Sequence, residues 1–393
     1  MDPSIFKSKE AGKCVRTLGR HWAFVPGALP KRVELDRIWP ELSEADAALG
    51  AVKGLAAGAQ LPFVHMLIAS AVRREAALSS QIEGIETQLP DLLRAEVEDP
   101  KQERDDPDLH ETRNYVKALN EGVERLRAGT PIAGRLVREL HGILLEGARG
   151  EGKTPGEFRK VQNFIGRDGD TPQTARYVPP PPDEMMRLIS DWEKFVNQRR
   201  ILPDLVQCAV VHHRFEAIHP FLDGNGRVGR LLIPLFLIDR GRLTEPLLYL
   251  SDYLEAHRRE YYAGLQMVHT DNDWTGWVRF FLRGVTHSSD KAVRQAASMS
   301  QLRRTLRDKL RKKFRARGLV DELFSNPYVD STRAAKALSI DRKTAQKSID
   351  LLVEQGILRE LTGRSWGRLW VADSILQIIN DPDRGAATAR TGD

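Results

Sequence analysis

Residues 219–230 read His-Pro-Phe-Leu-Asp-Gly-Asn-Gly-Arg-Val-Gly-Arg, and apolar runs bracket them on both sides. Upstream, Leu205–Ile218 carries Leu205, Val206, Ala209, Val210, Val211, Phe215 and Ile218, and downstream every residue of Leu231–Ile238 is apolar. Bulk at helical spacing predicts two largely buried helices. A glycine-rich stretch between them must turn tightly, so its polar groups are delivered to the junction of two core helices.

Each part of the turn has a chemical use. Gly224 and Gly226 permit backbone conformations in which successive N–H groups converge on one anion, and the second helix begins there with its positive dipole end. That combination predicts a phosphate cradle. Arg227 and Arg230 are three apart and share a helix face, so each can grip a different phosphate with a planar fork of donors. Asp223 offers a hard oxygen, the ligand type that holds Mg²⁺ beside a polyphosphate. Asn225 can donate to a phosphoryl oxygen. His219, whose ordinary pKa is about 6.5, can accept a proton near neutral pH. Phe221 is expected to anchor the turn in the core.

Residues 219–230 match H-x-F-x-[DE]-G-N-G-R-x-x-R at each defining position, and the chain therefore resembles Fic domain proteins. The resemblance implies a mainly α fold: a Fic-type helical bundle with a β-hairpin flap. It also implies transfer of AMP from ATP to a hydroxyl of a target protein, with release of pyrophosphate. Carried over, His219 is the base that deprotonates the hydroxyl and Asp223 the Mg²⁺ ligand. Asn225, with the backbone of Gly224 and Gly226, holds the α- and β-phosphates; Arg227 and Arg230 hold the outer ones. In-line attack on phosphorus needs positioning and charge neutralisation, which these groups supply.

The apolar positions Val64, Leu67, Ile68, Ala71 and Val72 predict a long helix over about 61–88, ending in Ser79-Ser-Gln-Ile-Glu-Gly84. Ser79 and Glu83 are four apart and share a face, a spacing that by itself suits local helix-surface chemistry. The family resemblance gives the pair another role, because some Fic proteins carry [ST]-x-x-x-E-[GN] on an inhibitory helix ahead of the catalytic motif. By that analogy Glu83 pairs with Arg230 and restrains the enzyme.

The segment Thr154–Gly166 breaks helical period and, with Ala175–Val178, predicts a hairpin. In Fic proteins the equivalent piece is a flap that holds the target's backbone by strand pairing, which assigns target docking to Gln162, Asn163, Phe164, Ile165 and Gly166. After the motif, Tyr253, Tyr261 and Tyr262 fall on a single expected helix, Tyr249–Leu265, and either pack in the core or flank an adenine.

Beyond about 290 the charge changes. Arg303–Arg317 reads as a strongly basic helix, and residues 331–371 read as helix, tight turn, second helix and hairpin. That order resembles a small winged helix-turn-helix domain, whose Arg342, Lys343, Gln346 and Lys347 would face DNA; such domains also serve as protein-docking or dimer modules. The expected organisation is an N-terminal helical region at 1–100, a catalytic core at 101–290, a basic helical linker at 291–325, the winged domain at 326–376 and a disordered tail at 377–393. Residues 1–60 read as an irregular lead-in without chemistry.

Composition closes off other classes. The chain has 393 residues, 60 Lys and Arg against 54 Asp and Glu, and only two cysteines far apart, so a disulfide framework or zinc site is excluded. No apolar run approaches a membrane span and the N-terminus lacks a signal peptide's apolar segment, so a cytoplasmic location is expected. The expected function is transfer of AMP from ATP, with Mg²⁺, to a Ser, Thr or Tyr hydroxyl of a target or of the chain itself, restrained by Glu83. The competing reading is a DNA-binding transcriptional regulator in which the Fic fold senses a nucleotide. A homodimer is compatible with both.

Overall fold

The computed structural model describes residues 1–57, 62–98, 106–147, 151–167, 169–364 and 366–380. It is mainly helical, and the chain divides into two compact units. The first comprises residues 1–50, 114–243 and 249–288; the second comprises 51–113, 244–248 and 289–393.

In chain order the described elements begin with β1 (Gly12–Arg16), β2 (Trp22–Pro26), α1 (Trp39–Ala57), α2 (Pro62–Ile82), α3 (Leu89–Ala95), α4 (Pro107–Arg127) and α5 (Gly134–Leu144). There follow α6 (Pro182–Asn197), α7 (Asp204–Ile218), α8 (Asn225–Asp239), α9 (Ser251–Ala256), α10 (Arg258–Asp271) and α11 (Trp274–Lys309). The last are α12 (Phe314–Leu323), β3 (Tyr328–Val329), α13 (Ser331–Leu338), α14 (Arg342–Glu354), β4 (Arg359–Glu360), β5 (Trp370–Val371) and α15 (Asp373–Asn380).

The first unit is built around α7 and α8, the two helices that the apolar runs predict. Every residue of α7 from Leu205 to Ile218 is buried, polar ones included. A helix buried all round must have its polar side chains satisfied from neighbours. The neighbours comply: Trp192 of α6 donates Nε1–H to the Val211 carbonyl at 3.1 Å, and Trp277 of α11 donates to Ala209 at 2.8 Å. His212 donates Nδ1–H to the Gly229 carbonyl of α8 at 3.1 Å, leaving Nε2 to accept from the Tyr261 hydroxyl at 3.0 Å. At that crossing a Cβ on Gly229 would come within 2.1 Å of the Glu216 carboxylate, which would have to move aside.

The lead-in is more ordered than the sequence suggests. β1 and β2 form an antiparallel hairpin with Cys14 opposite Phe24, and α1 is a full helix of 19 residues. Phe24 is fully buried in a small core with Tyr177 and Val178, and its N–H donates to the Val178 carbonyl at 2.9 Å. Tyr177 and Val178 therefore run between β2 and Ile165, which bridges to Tyr177.

In the second unit α12, α13 and α14 pack on one another beside a three-stranded sheet of order β3-β5-β4, antiparallel throughout. Asp330 and Asp341 cap α13 and α14 through hydrogen bonds to the third residue of each helix. Asn326 joins this group to α3 by donating to the Leu93 carbonyl at 2.8 Å.

Several expected boundaries move. The helix expected over 61–88 runs from Pro62 to Ile82, and α3 follows after a turn in which Gly84 has φ +83°. The single Tyr249–Leu265 helix is two, broken at His257. The basic run at 303–317 is split between α11, which continues to Lys309, and α12. Residues 377–380 of the expected tail complete α15, and 381–393 lie outside the described residues. Among the described residues no helix is long and apolar enough to cross a membrane.

Candidate active site

The turn is shaped by two left-handed residues. His219 caps α7 at φ 48°, ψ 61°, and Gly224 precedes α8 at φ 72°. For a non-glycine residue that conformation costs of order 1 kcal/mol or more and persists only when neighbours hold it. Here the holding groups are visible. The His219 carbonyl accepts from Arg159 Nε at 2.9 Å and from Asn163 Nδ2 at 3.3 Å, and the His219 N–H donates to Phe215 at 3.0 Å.

Arg159 is the larger surprise. It is 2% exposed and donates to the carbonyls of His219, Val161 (3.1 Å), Pro180 (2.6 Å) and Ile218 (3.4 Å). Burial lowers its pKa to about 10, so it stays charged at neutral pH, beside the negative end of the α7 dipole. His141 of α5 is the second residue that sequence reasoning missed. It accepts from the Gly156 N–H at Nδ1 (2.9 Å), which places its proton on Nε2, and that N–H donates to the Asp223 carbonyl at 3.0 Å. Its ring stacks on Phe221 at 3.7 Å between centroids. Burial lowers its pKa to about 4, so the tautomer is fixed and neutral.

The predicted residues take these places. His219 is half-buried with Nδ1 3.3 Å from the Glu216 carbonyl; donation there leaves the lone pair on Nε2. Asp223 is exposed, its Oδ1 accepting the Gly224 N–H at 2.6 Å and lying 3.8 Å from Arg227 Nη2. Arg227 and Arg230 are 3% and 2% exposed, so their forks are set into the wall of α8 rather than splayed in solvent. Gly226 stands in the first turn of α8, where backbone N–H groups have no partner within a helix. Asn225 has a structural role as well. Its side chain bridges Phe221, accepting from the N–H at 2.8 Å and donating one Nδ2–H to the carbonyl at 2.9 Å, so it closes the turn and keeps a second N–H for a phosphoryl oxygen.

The flap is paired as expected on one side. Ile165 and Tyr177 exchange both backbone hydrogen bonds (2.8 and 3.1 Å), and Gln162 donates to the Pro179 carbonyl at 2.8 Å. Asn163 bonds to the motif itself, giving Nδ2–H to the Phe221 carbonyl at 2.9 Å. Phe164 and Gly166 are exposed along the opposite edge.

These elements match known proteins. The Fic/DOC family N-terminal pattern fits residues 39–124 and the Fic/DOC family pattern fits residues 131–237, which holds the whole turn. Residues 131–237 form a Fic domain. A probable protein adenylyltransferase of Aquifex aeolicus is 29% identical over 171 residues, 42% of this chain and 50% of that protein. The protein adenylyltransferase Fic of Aedes aegypti is 32% identical over 127 residues, 32% of this chain and 22% of that protein. The chain thus spans half or less of these curated relatives. Among solved structures, a Fic family protein from Desulfovibrio desulfuricans aligns over 87% of this chain and 98% of its own, with TM-score 0.57 at 21% identity. A Fic domain signalling protein from Bacteroides thetaiotaomicron aligns over 66% of this chain and 97% of its own, with TM-score 0.51 and 18% identity.

The other expected residues are described within their own units. Tyr261 is buried and bonded to His212, and Tyr253 stacks on His257 at 4.1 Å between centroids, so both serve the core of the first unit; Tyr262 is half-buried beside Arg176. In the second unit, Ser79 is fully buried in the last turn of α2, and exposed Glu83 follows it with its N–H on the Ser80 carbonyl at 3.0 Å. On α14, Arg342, Lys343 and Lys347 are exposed, whereas half-buried Gln346 is bonded to Asp350 at 2.7 Å.

Proposed function

We propose that this chain transfers AMP from ATP to a side-chain hydroxyl of a protein, with His219 as general base. The observation that carries the reading is the turn itself. One imidazole with its basic Nε2, one exposed carboxylate and two wall-set guanidinia surround the N-terminus of a core helix. The backbone N–H groups at that terminus and the charges of Arg227 and Arg230 favour a triphosphate. His219 takes the proton from the acceptor hydroxyl as its oxygen attacks the α-phosphorus; the bond to the β-phosphate oxygen breaks and pyrophosphate leaves. The exposed edge at Phe164 and Gly166 would pair with an extended stretch of the acceptor protein, or of the chain itself.

Mg²⁺ fits the donor set. Among the described residues no cluster of three His, Cys, Asp or Glu side chains gathers, so Asp223 is suited to a metal that takes its remaining ligands from phosphates and water. Such an ion, when bound, would neutralise phosphate charge.

Incubation with labelled ATP and Mg²⁺ tests the assignment. His219→Ala should lose transfer by about 10²- to 10⁴-fold or more while still binding ATP, because the imidazole acts on the hydroxyl. Transfer by the variant at the wild-type rate would show that the base has been misassigned.

Glu83 is proposed to restrain this site through Arg230. The second unit is proposed to bind DNA in a winged-helix manner, on the strength of exposed Arg342, Lys343 and Lys347 on one helix and Trp366, 88% exposed, between β4 and β5. A gel shift with the full chain in which Arg342→Ala/Lys343→Ala/Lys347→Ala binds as tightly as wild type would remove that role.

A further inference from the structure

The lead-in to which the sequence assigns no chemistry forms one wall of a cleft in the first unit. The cleft, of about 330 Å³, lies between the β1–β2 hairpin, the extended residues that follow β2, and helices α6 and α7. That size is in the range of small-ligand sites. None of residues 219–230 lines it.

Its floor is Arg214 of α7, a guanidinium only 3% exposed. A guanidinium has five N–H donors. Two are used here: Nη1 donates to the Gly27 carbonyl at 2.8 Å and Nη2 to Ala28 at 3.4 Å, while Nε is buried without a hydrogen-bond partner. Those carbonyls reach Arg214 because Gly27 can crowd the backbone just before β1; a Cβ at Gly27 would come within 2.5 Å of the Glu10 carbonyl oxygen. A buried charge is ordinarily paired with an opposite one. The carboxylate that lines this cleft, Asp191, is engaged by Arg187 at 3.2 Å. Exposed Lys9 and Lys13 stand at the rim, so the lining sets four cations against one carboxylate.

We infer that this cleft binds a small oxyanion, a phosphate or carboxylate group, seated on Arg214 between Lys9 and Lys13. The anion adds to the partial compensation that nearby Asp191 gives Arg214, and takes the Nη donors that Gly27 and Ala28 do not use. Arg214 lies on α7 five positions before His219, which caps that helix. The ligand therefore rests against the helix that positions the proposed base without entering the turn.

Lys9→Glu/Lys13→Glu tests the site, because both side chains are exposed and their replacement leaves the core intact, as a thermal melt would verify. Arg214 is left in place, since its loss would orphan the carbonyls it holds. Calorimetric titration of the full chain with inorganic phosphate, at ionic strength held constant with NaCl, should show binding that the double variant weakens tenfold or more. The same binding should persist in Arg227→Ala, which separates this cleft from the phosphate cradle of the turn. Citrate bound by wild type and lost in the double variant would support the same site through carboxylate chemistry. Equal affinity for phosphate in wild type and the double variant, loss of the binding in Arg227→Ala, or no binding of either anion at millimolar concentration would each overturn the inference.

Discussion

Arg159 shows how a single side chain can govern a site that it does not enter. Its fork ties together carbonyls from three separate stretches, at Val161, Pro180 and Ile218–His219, and so fixes the strained His219 backbone. Lysine presents a point charge on a flexible stem and cannot span those carbonyls. Arg159→Lys should therefore leave at least one buried carbonyl unpaired, at a cost of about 1–3 kcal/mol, and lower transfer with it. Urea denaturation of the variant checks the first effect and labelled ATP the second; wild-type stability would mean that the carbonyls find other partners. Nothing in the sequence marks Arg159 among 60 Lys and Arg residues, because its importance lies in contacts up to 60 positions away. His141 was within reach of sequence reasoning. It follows Leu136, Val137 and Leu140 on the buried face of α5, and an imidazole on such a face must find partners. The turn-closing bonds of Asn225 were hidden for a related reason: spacing gives a residue's address, while the direction of its amide depends on the turn it closes.

At the scale of elements, α7 and α8 were legible because continuous apolar bulk admits little besides buried helices. The hairpin was not, because β2 is buried at four consecutive positions and shows no alternation. The end of α2 was marked by Gly84 and Pro90, yet the apolar pattern that runs on past them suggested a longer helix. That end carries the regulatory proposal. If Glu83 pairs with Arg230, it holds a guanidinium that a γ-phosphate would otherwise use and adds negative charge beside an anionic ligand. Glu83→Gly should raise transfer well over tenfold, since a misaligned triphosphate readily costs more than the ~1.4 kcal/mol that tenfold represents. The side chain is exposed beyond the helix end, so folding should be unaffected. Arg230→Ala in the same background should cancel the gain, which a general loosening of α2 would not predict. Equal incorporation by wild type and Glu83→Gly would sink the restraint while leaving His219 in its role.

At the scale of the molecule, the first unit buries four neutral imidazoles, and this makes its stability depend on pH. Burial lowers the pKa of His141 to about 4 and those of His212 and His269 to about 3, and holds His213 well below the usual value; for His213, repulsion from His269 adds to the effect. In the unfolded chain each would titrate near 6.5. Between that value and about 3 to 4 the unfolded chain binds protons that the folded unit refuses, so stability is full above pH 6.5 and falls as pH drops through this window. Each proton contributes about 1.4 kcal/mol per pH unit, and four together roughly 5. His269 isolates one share of that slope. It stacks on Tyr177 with centroids 4.5 Å apart, and neither ring nitrogen has a hydrogen-bond partner among the described residues. A phenyl ring would keep the stacking and remove two unsatisfied polar atoms, so His269→Phe should be neutral or stabilising at pH 7. Below pH 6 it should lose stability more slowly than wild type, by about 1.4 kcal/mol per pH unit. Hydrogen exchange of the α7 amides in the full chain from pH 7.5 to 5, corrected for intrinsic rates, measures the difference directly. Parallel pH profiles for the two proteins would mean that His269 takes up its proton in the folded state, and that the packing around Tyr177 opens to admit it.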